Sequence, residues 1–122
     1  MDSADRLRVE SASTLDRRVL LLYGELDLAG APLLASEIER AESSGLDALV
    51  LDLSHLDFLD SAGLRVILAA HERARDAGRG FAITPGPPQV QKLLEIAGVD
   101  GHLRTIPSAE HVLDEGPGEP AA

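Results

Sequence analysis

The sequence predicts an α/β domain with a mixed, mostly parallel sheet of four to five strands and about four helices. Three observations lead there. Short apolar runs recur at residues 19–23, 48–53 and 81–84. Segments with apolar residues at helical spacing lie between them, and such alternation implies right-handed βαβ crossovers. A chain of 122 residues suffices for one domain with a real core and is too short for two ordinary ones.

The elements follow in order. Residues 7–12 alternate weakly and residues 19–23 form a continuous apolar run, which reads as two strands joined by a turn near Leu15-Asp16. After GELDLAGAP, Leu34, Ile38 and Ala41 fall on one helical face. Pro32 suits the first turn of that helix, and Gly45 supplies its stop. Residues 48–53 carry one acid, Asp52, in an apolar run, as in a strand buried on both faces. The helix over 61–77 is the clearest: Leu64, Ile67, Leu68, His71 and Ala74 form its stripe and Gly78 ends it. A strand at 81–84 precedes the breaker PGPP, and a helix over 90–97 follows. Residues 103–106 predict a last strand and 108–113 a terminal helix. The end of the chain, 115–122 (EGPGEPAA), has no apolar content and predicts a disordered tail, leaving 1–114 as the domain.

Composition narrows the function. Two Phe, one Tyr and no Trp leave an aliphatic core. A formal charge of −10, with 21 acids against 11 Lys and Arg, argues against nucleic acid and against anionic membrane. It favours a partner with basic groups at the contact. The absence of cysteine excludes disulfides and thiolate metal sites. The first residues lack the apolar stretch of a signal peptide, and no apolar run approaches the roughly 18 residues that span a bilayer. A cytoplasmic protein is expected.

In such folds functional loops leave the carboxyl ends of parallel strands. Two loops qualify, Gly24-Glu25-Leu26-Asp27 and 57–63, so Asp27, Asp60 and Ser61 share one end of the sheet if their strands are neighbours. Ser61 has three readings. It is a helix N-cap, a role open equally to Asp60. It is a nucleophile, but Leu59 stands where the elbow G-x-S-x-G needs glycine, and His55, His71, His102 and His111 show no diagnostic spacing. His71, on the stripe of its helix, reads as a packed, hydrogen-bonded residue. Or Ser61 is a residue that another protein modifies: phosphate adds about −1.5 to −2 charges at a helix N-terminus, beside Asp27 and Asp60. Like charges about 6 Å apart at an effective dielectric near 40 repel by about 1.4 kcal/mol per pair. That changes affinity roughly tenfold without refolding. No phosphate-cradling motif is present, and Asp27, Asp57 and Asp60 lack the dense spacing of a cation loop. Neither a cofactor, a metal nor an enzymatic activity is expected.

GELDLAGAP at 24–32, followed by LVLDLSHLDFLDSAGLRVILAAHERAR at 49–75, resembles the STAS domain of bacterial anti-sigma factor antagonists, over about residues 7–113. The resemblance implies a partner-switching regulator of transcription. Its unphosphorylated form binds an anti-sigma factor that is also a serine kinase, a GHKL-type ATPase, and so frees the sigma factor. Phosphorylation of the motif serine ends binding, and a PP2C-type phosphatase reverses it. Carried over by position, Ser61 is the phosphoacceptor, Asp60, Ala62 and Gly63 complete its motif, and Asp27 lies beside it. Ala62 stands where many relatives carry a second hydroxyl, and Gly30 where a capping residue is common. The implied docking surface comprises Asp27, Leu59, Asp60, Ser61, Ala62, Gly63 and Leu64, with Leu59 as exposed contact and Phe58 in the core. The rival reading is a STAS scaffold or accessory subunit of a stress-signalling or lipid-transport complex. A small-molecule or nucleotide-binding regulator using the same loops is a third.

Overall fold

The computed structural model describes residues 6–14, 16–99 and 101–109. An antiparallel pair opens the chain, β1 (Leu7–Ser13) with β2 (Arg17–Leu26). There follow α1 (Ala31–Glu42), β3 (Ala48–Leu59), α2 (Ser61–Ala77), β4 (Gly80–Ile83) and α3 (Pro88–Ile96). The strands lie in the order β1-β2-β3-β4, and β3 is parallel to both of its neighbours. The mixed, mostly parallel sheet is as the sequence predicts.

Each parallel connection steps one place in the same direction, so right-handed crossovers put α1 and α2 on one face. That face is the core. Leu20, Leu22 and Leu26 of β2 and Leu49, Leu51, Leu53, Leu56 and Leu59 of β3 meet Leu34 and Ile38 of α1, Ile67 of α2 and Leu94 of α3. The opposite face carries a smaller cluster of Val19, Val50 and Ala82, adjacent across three strands, with Ile106 and Ala109. Helix α2 has the predicted bounds, though its deepest residues are Gly63, Leu64, Ile67, Ala70 and Ala74. Leu68 and His71 are only half-buried. The His71 ring packs on Phe81 at 5.8 Å, but its buried Nδ1 has no hydrogen-bond partner among the described residues, contrary to the satisfied histidine expected there.

Several elements depart from the sequence reading. Strand β2 runs on through Gly24, Glu25 and Leu26, which were expected in a loop, and β3 runs on to Leu59 rather than stopping at 53. The extra lengths pair with each other, from Tyr23↔His55 to Leu26↔Leu59. Two register shifts place an additional residue in β3 each time. Buried positions therefore fall at Leu53, Leu56 and Leu59, three apart instead of two, and the alternation that marks a strand disappears. Gly24 sits in this paired stretch at φ 96°, where a Cβ would collide with the Arg6 carbonyl oxygen.

The last strand expected over 103–106 reduces to one parallel bridge, Ile83↔Thr105. Gly101 and Pro107 leave little room for more, and the PGPP breaker ends β4 just beyond Ile83. Helix α3 starts at Pro88, two residues earlier than expected, since Pro87 and Pro88 tolerate the first turn where no N–H is needed. Of the terminal helix expected over 108–113, only Ser108 and Ala109 are described, and the tail at 115–122 lies outside the described residues. Among the described residues no helix is long and apolar enough to cross a membrane.

Ile67 is fully buried between α2 and the sheet, whereas Ile96 is 73% exposed. Ile67→Ala should cost about 2–5 kcal/mol in urea unfolding with an unchanged m-value, and Ile96→Ala should stay within about 0.5 kcal/mol.

Candidate functional site

The carboxyl ends of β2 and β3 lie side by side, Leu26 opposite Leu59, so Asp27 and Asp60 follow immediately at one end of the sheet. The conditional placement made from the sequence therefore holds. What fastens the two loops together is Asp60. It has extended backbone (φ −114°, ψ −175°) and is the N-cap of α2. Its Oδ1 accepts from the backbone N–H of Ala62 at 2.9 Å and of Gly63 at 3.0 Å. Its Oδ2 accepts from the N–H of Leu28, across the gap to the other loop, at 3.2 Å. Its own N–H donates to the Leu26 carbonyl at 3.2 Å.

Asp27 plays the matching part before α1. Its Oδ1 accepts from the Gly30 N–H at 3.0 Å, and its carbonyl accepts from Gly30 and Ala31. Gly30 thus needs no capping side chain of its own, and it has none to offer. Both carboxylates are committed to backbone amides. Among the described residues no group of three His, Asp or Glu side chains converges as a metal site would require.

Ser61 is left over. It occupies the first position inside α2, is exposed, and its hydroxyl makes no hydrogen bond among the described residues. The cap is Asp60 alone. Ala62 is half-buried, while Gly63 and Leu64 are buried beneath the loop. A Cβ on Gly63 would stand 2.5 Å from Leu26 Cγ and 2.9 Å from Leu59 Cδ1, so only glycine lets the start of α2 approach the strand ends this closely.

The pairing of Phe58 and Leu59 is the reverse of the sequence expectation. Leu59 is 6% exposed and packs into the core, whereas Phe58 is 47% exposed. Two extra residues together leave the alternation of β3 in its original phase, so Leu59 falls on the core face of Leu49, Leu51 and Leu53 and Phe58 on the other. Leu59, Gly63 and Leu64 therefore support the surface from below. Phe58 and Leu28, the latter 74% exposed, were missed, and they are the apolar groups the site presents. The leucine spacing at 53, 56 and 59 was the available signal. With Asp27, Asp57, Asp60, Glu25 and Arg6 they line an open depression. Arg6 is paired with Glu25 at 3.0 Å, so the remaining acids leave the rim negative.

A family model described as Mlab, STAS domain, matches residues 9–107. The anti-sigma-F factor antagonist RsfB of Mycobacterium tuberculosis is 27% identical over 113 residues, 93% of this chain and 92% of the relative. An anti-sigma F factor antagonist of Paenibacillus polymyxa is 30% identical over 82 residues, 66% of this chain and 70% of the relative. Among solved structures, an anti-sigma factor antagonist from Mycobacterium paratuberculosis superposes with a TM-score of 0.80 at 24% identity, covering 97% of this chain and 100% of that one. That likeness is one of fold, and the fold is the sheet and helices described above. The match from Val9 to Pro107 takes in every element that builds the site, and the chain belongs to the STAS domain family, among relatives named anti-sigma factor antagonists.

Proposed function

We propose that the protein is an anti-sigma factor antagonist whose binding is switched by phosphorylation of Ser61. One observation carries the reading: Ser61 is an exposed, unbonded hydroxyl at the first position of a helix whose cap is supplied by its neighbour Asp60. A serine that capped the helix would be needed for stability, and modifying it would loosen the loop. This one is free of that duty. The names of the relatives support the partner class.

In this reading the unmodified surface made by Asp27, Leu28, Phe58, Asp60, Ser61 and Ala62 docks on an anti-sigma factor that is also an ATP-dependent serine kinase. The sigma factor is thereby released. The kinase transfers the γ-phosphoryl group of ATP to Ser61 Oγ, the hydroxyl proton is lost and ADP departs. The new dianion lies at the amino end of α2, whose dipole tolerates it, and beside the carboxylates of Asp27 and Asp60, which repel it. The contact surface changes its charge while the core stays as it is. Removal of the phosphate by a PP2C-type phosphatase restores binding. The protein is the substrate of the enzyme it sequesters and supplies no catalytic group.

Stability and partner binding both test this. Asp60→Ala should lower the unfolding free energy by about 1–2 kcal/mol, since three amides lose their acceptor. Ser61→Ala should leave it within about 0.5 kcal/mol. Incubation with anti-sigma factor kinases from the same genome and ATP should label Ser61 by mass spectrometry. Ser61→Ala should remain bound to the kinase, and Ser61→Asp should bind at least tenfold more weakly. Labelling at another residue, or equal binding by wild type and Ser61→Asp, would refute the switch.

A further inference from the structure

Strand β3 takes up slack before it reaches the site. It runs in step with β2 from Arg17↔Ala48 to Leu21↔Asp52, then gains one residue before Tyr23↔His55 and another between Gly24↔Leu56 and Glu25↔Phe58. Carried on from Leu21↔Asp52 without them, the register would set Leu26 opposite Asp57 instead of Leu59. The two extra residues draw the D-S-A-G turn back by two positions, about 6.6 Å of strand at roughly 3.3 Å per residue. Only from there do the Asp60 N–H reach the Leu26 carbonyl and the Asp60 carboxylate reach the Leu28 N–H.

The first of these bulges is pinned by buried polar groups on the sheet face opposite the helices. A bulge takes backbone N–H groups out of the ladder, and buried ones must find another acceptor. Here the Ser54 N–H donates to Asp52 Oδ1 at 3.0 Å, while the Leu53 N–H, which faces β4 just beyond its last paired residue Ile83, donates to Thr84 Oγ1 at 2.8 Å. The hydroxyls of Thr84 and Ser54 donate to the same Oδ1, at 2.9 and 2.6 Å. Asp52 is 4% exposed and Thr84 1% exposed. Burying a carboxylate is costly, and a position that needed only to fill a strand would be served better by Val or Ile. Nothing in the proposed switch chemistry uses either residue.

We infer that Asp52 and Thr84 are positioning residues for the Ser61 switch: together they hold the β3 bulge that sets Asp60, and with it Ser61, against the end of β2. Neither lines the depression at the site. Their influence on Asp60 runs through the register of β3, and only the phosphorylation arm of the test rests on the reading of Ser61 as phosphoacceptor.

Thr84→Val removes the hydroxyl at nearly constant volume and leaves the Leu53 N–H unanswered. In amide NMR spectra the Leu28, Ala62 and Gly63 protons, which report the bonds to Asp60, should move toward unbonded values. Ile38→Val, a core change in α1 with a comparable loss of thermal stability, should leave them in place. Asp52→Asn retains the Oδ1 acceptor and should keep the wild-type resonances. Asp52→Ala should behave like Thr84→Val, and if it does not fold, Thr84→Val and Asp52→Asn still decide the matter. The kcat/KM for Ser61 phosphorylation should fall at least tenfold in Thr84→Val and not in Ile38→Val. Unmoved Leu28, Ala62 and Gly63 resonances in Thr84→Val, or equal movement in Ile38→Val, would overturn the inference whatever the kinase does. Failure of the wild type to be phosphorylated would overturn the switch reading and leave the resonance result to stand by itself.

Discussion

The carboxylate of Asp60 answers backbone N–H groups from two segments far apart in sequence, Ala62 and Gly63 at the start of α2 and Leu28 in the turn after β2. The rest of the site hangs on that arrangement. Because Asp60 satisfies the open amides of α2, the next residue is relieved of capping and presents its hydroxyl to solvent. Because the same carboxylate holds Leu28, the turn begun by Asp27 stays beside the helix end. An aspartate with two acceptor oxygens does both, and a serine at the same place, with its single oxygen, would serve only one.

Steric constraints complement the electrostatic one. The interlock of G-E-L-D with D-S-A-G is literal: Leu26 of the first motif fills the space that a side chain on Gly63 of the second would need. Leu59 closes the same contact from β3. This is why the buried members of the motifs, Leu26, Leu59, Gly63 and Leu64, and the exposed ones, Leu28, Phe58 and Ser61, have separate tasks. One set fixes distance, and the other, in the proposed reading, meets the partner.

Much of this was legible in the sequence, and the rest was hidden for identifiable reasons. Helix α2 was plain because its apolar stripe, its acid at the start and Gly78 at the end agree. The adjacency of Asp27 and Asp60 followed from parallel strands in neighbouring positions. The second half of β3 was not plain, because its bulges replace a period of two with a spacing of three, and a spacing of three does not look like a strand. Phe58 and Leu59 have the reverse of their expected roles because two added residues restore the parity of the strand, which returns Leu59 to the face of Leu49, Leu51 and Leu53. The choice between Asp60 and Ser61 as cap was also open, since both residue types favour that position. Hydrogen-bond geometry, which local sequence does not carry, decides it.

The proposed switch requires that the site change charge without changing fold. The Ser61 hydroxyl takes part in none of the bonds that Asp60 makes, so in the proposed reading a phosphate there gives the core and sheet no reason to rearrange. The most direct measurement is a calorimetric titration of the cognate anti-sigma factor with unmodified and with fully Ser61-phosphorylated protein, paired with amide spectra of both forms. The account predicts an affinity at least tenfold weaker for the phosphorylated form, with spectral changes confined to the turn at 27–30 and the start of α2. Equal affinities, or weakened binding accompanied by shifts throughout the core, would contradict it.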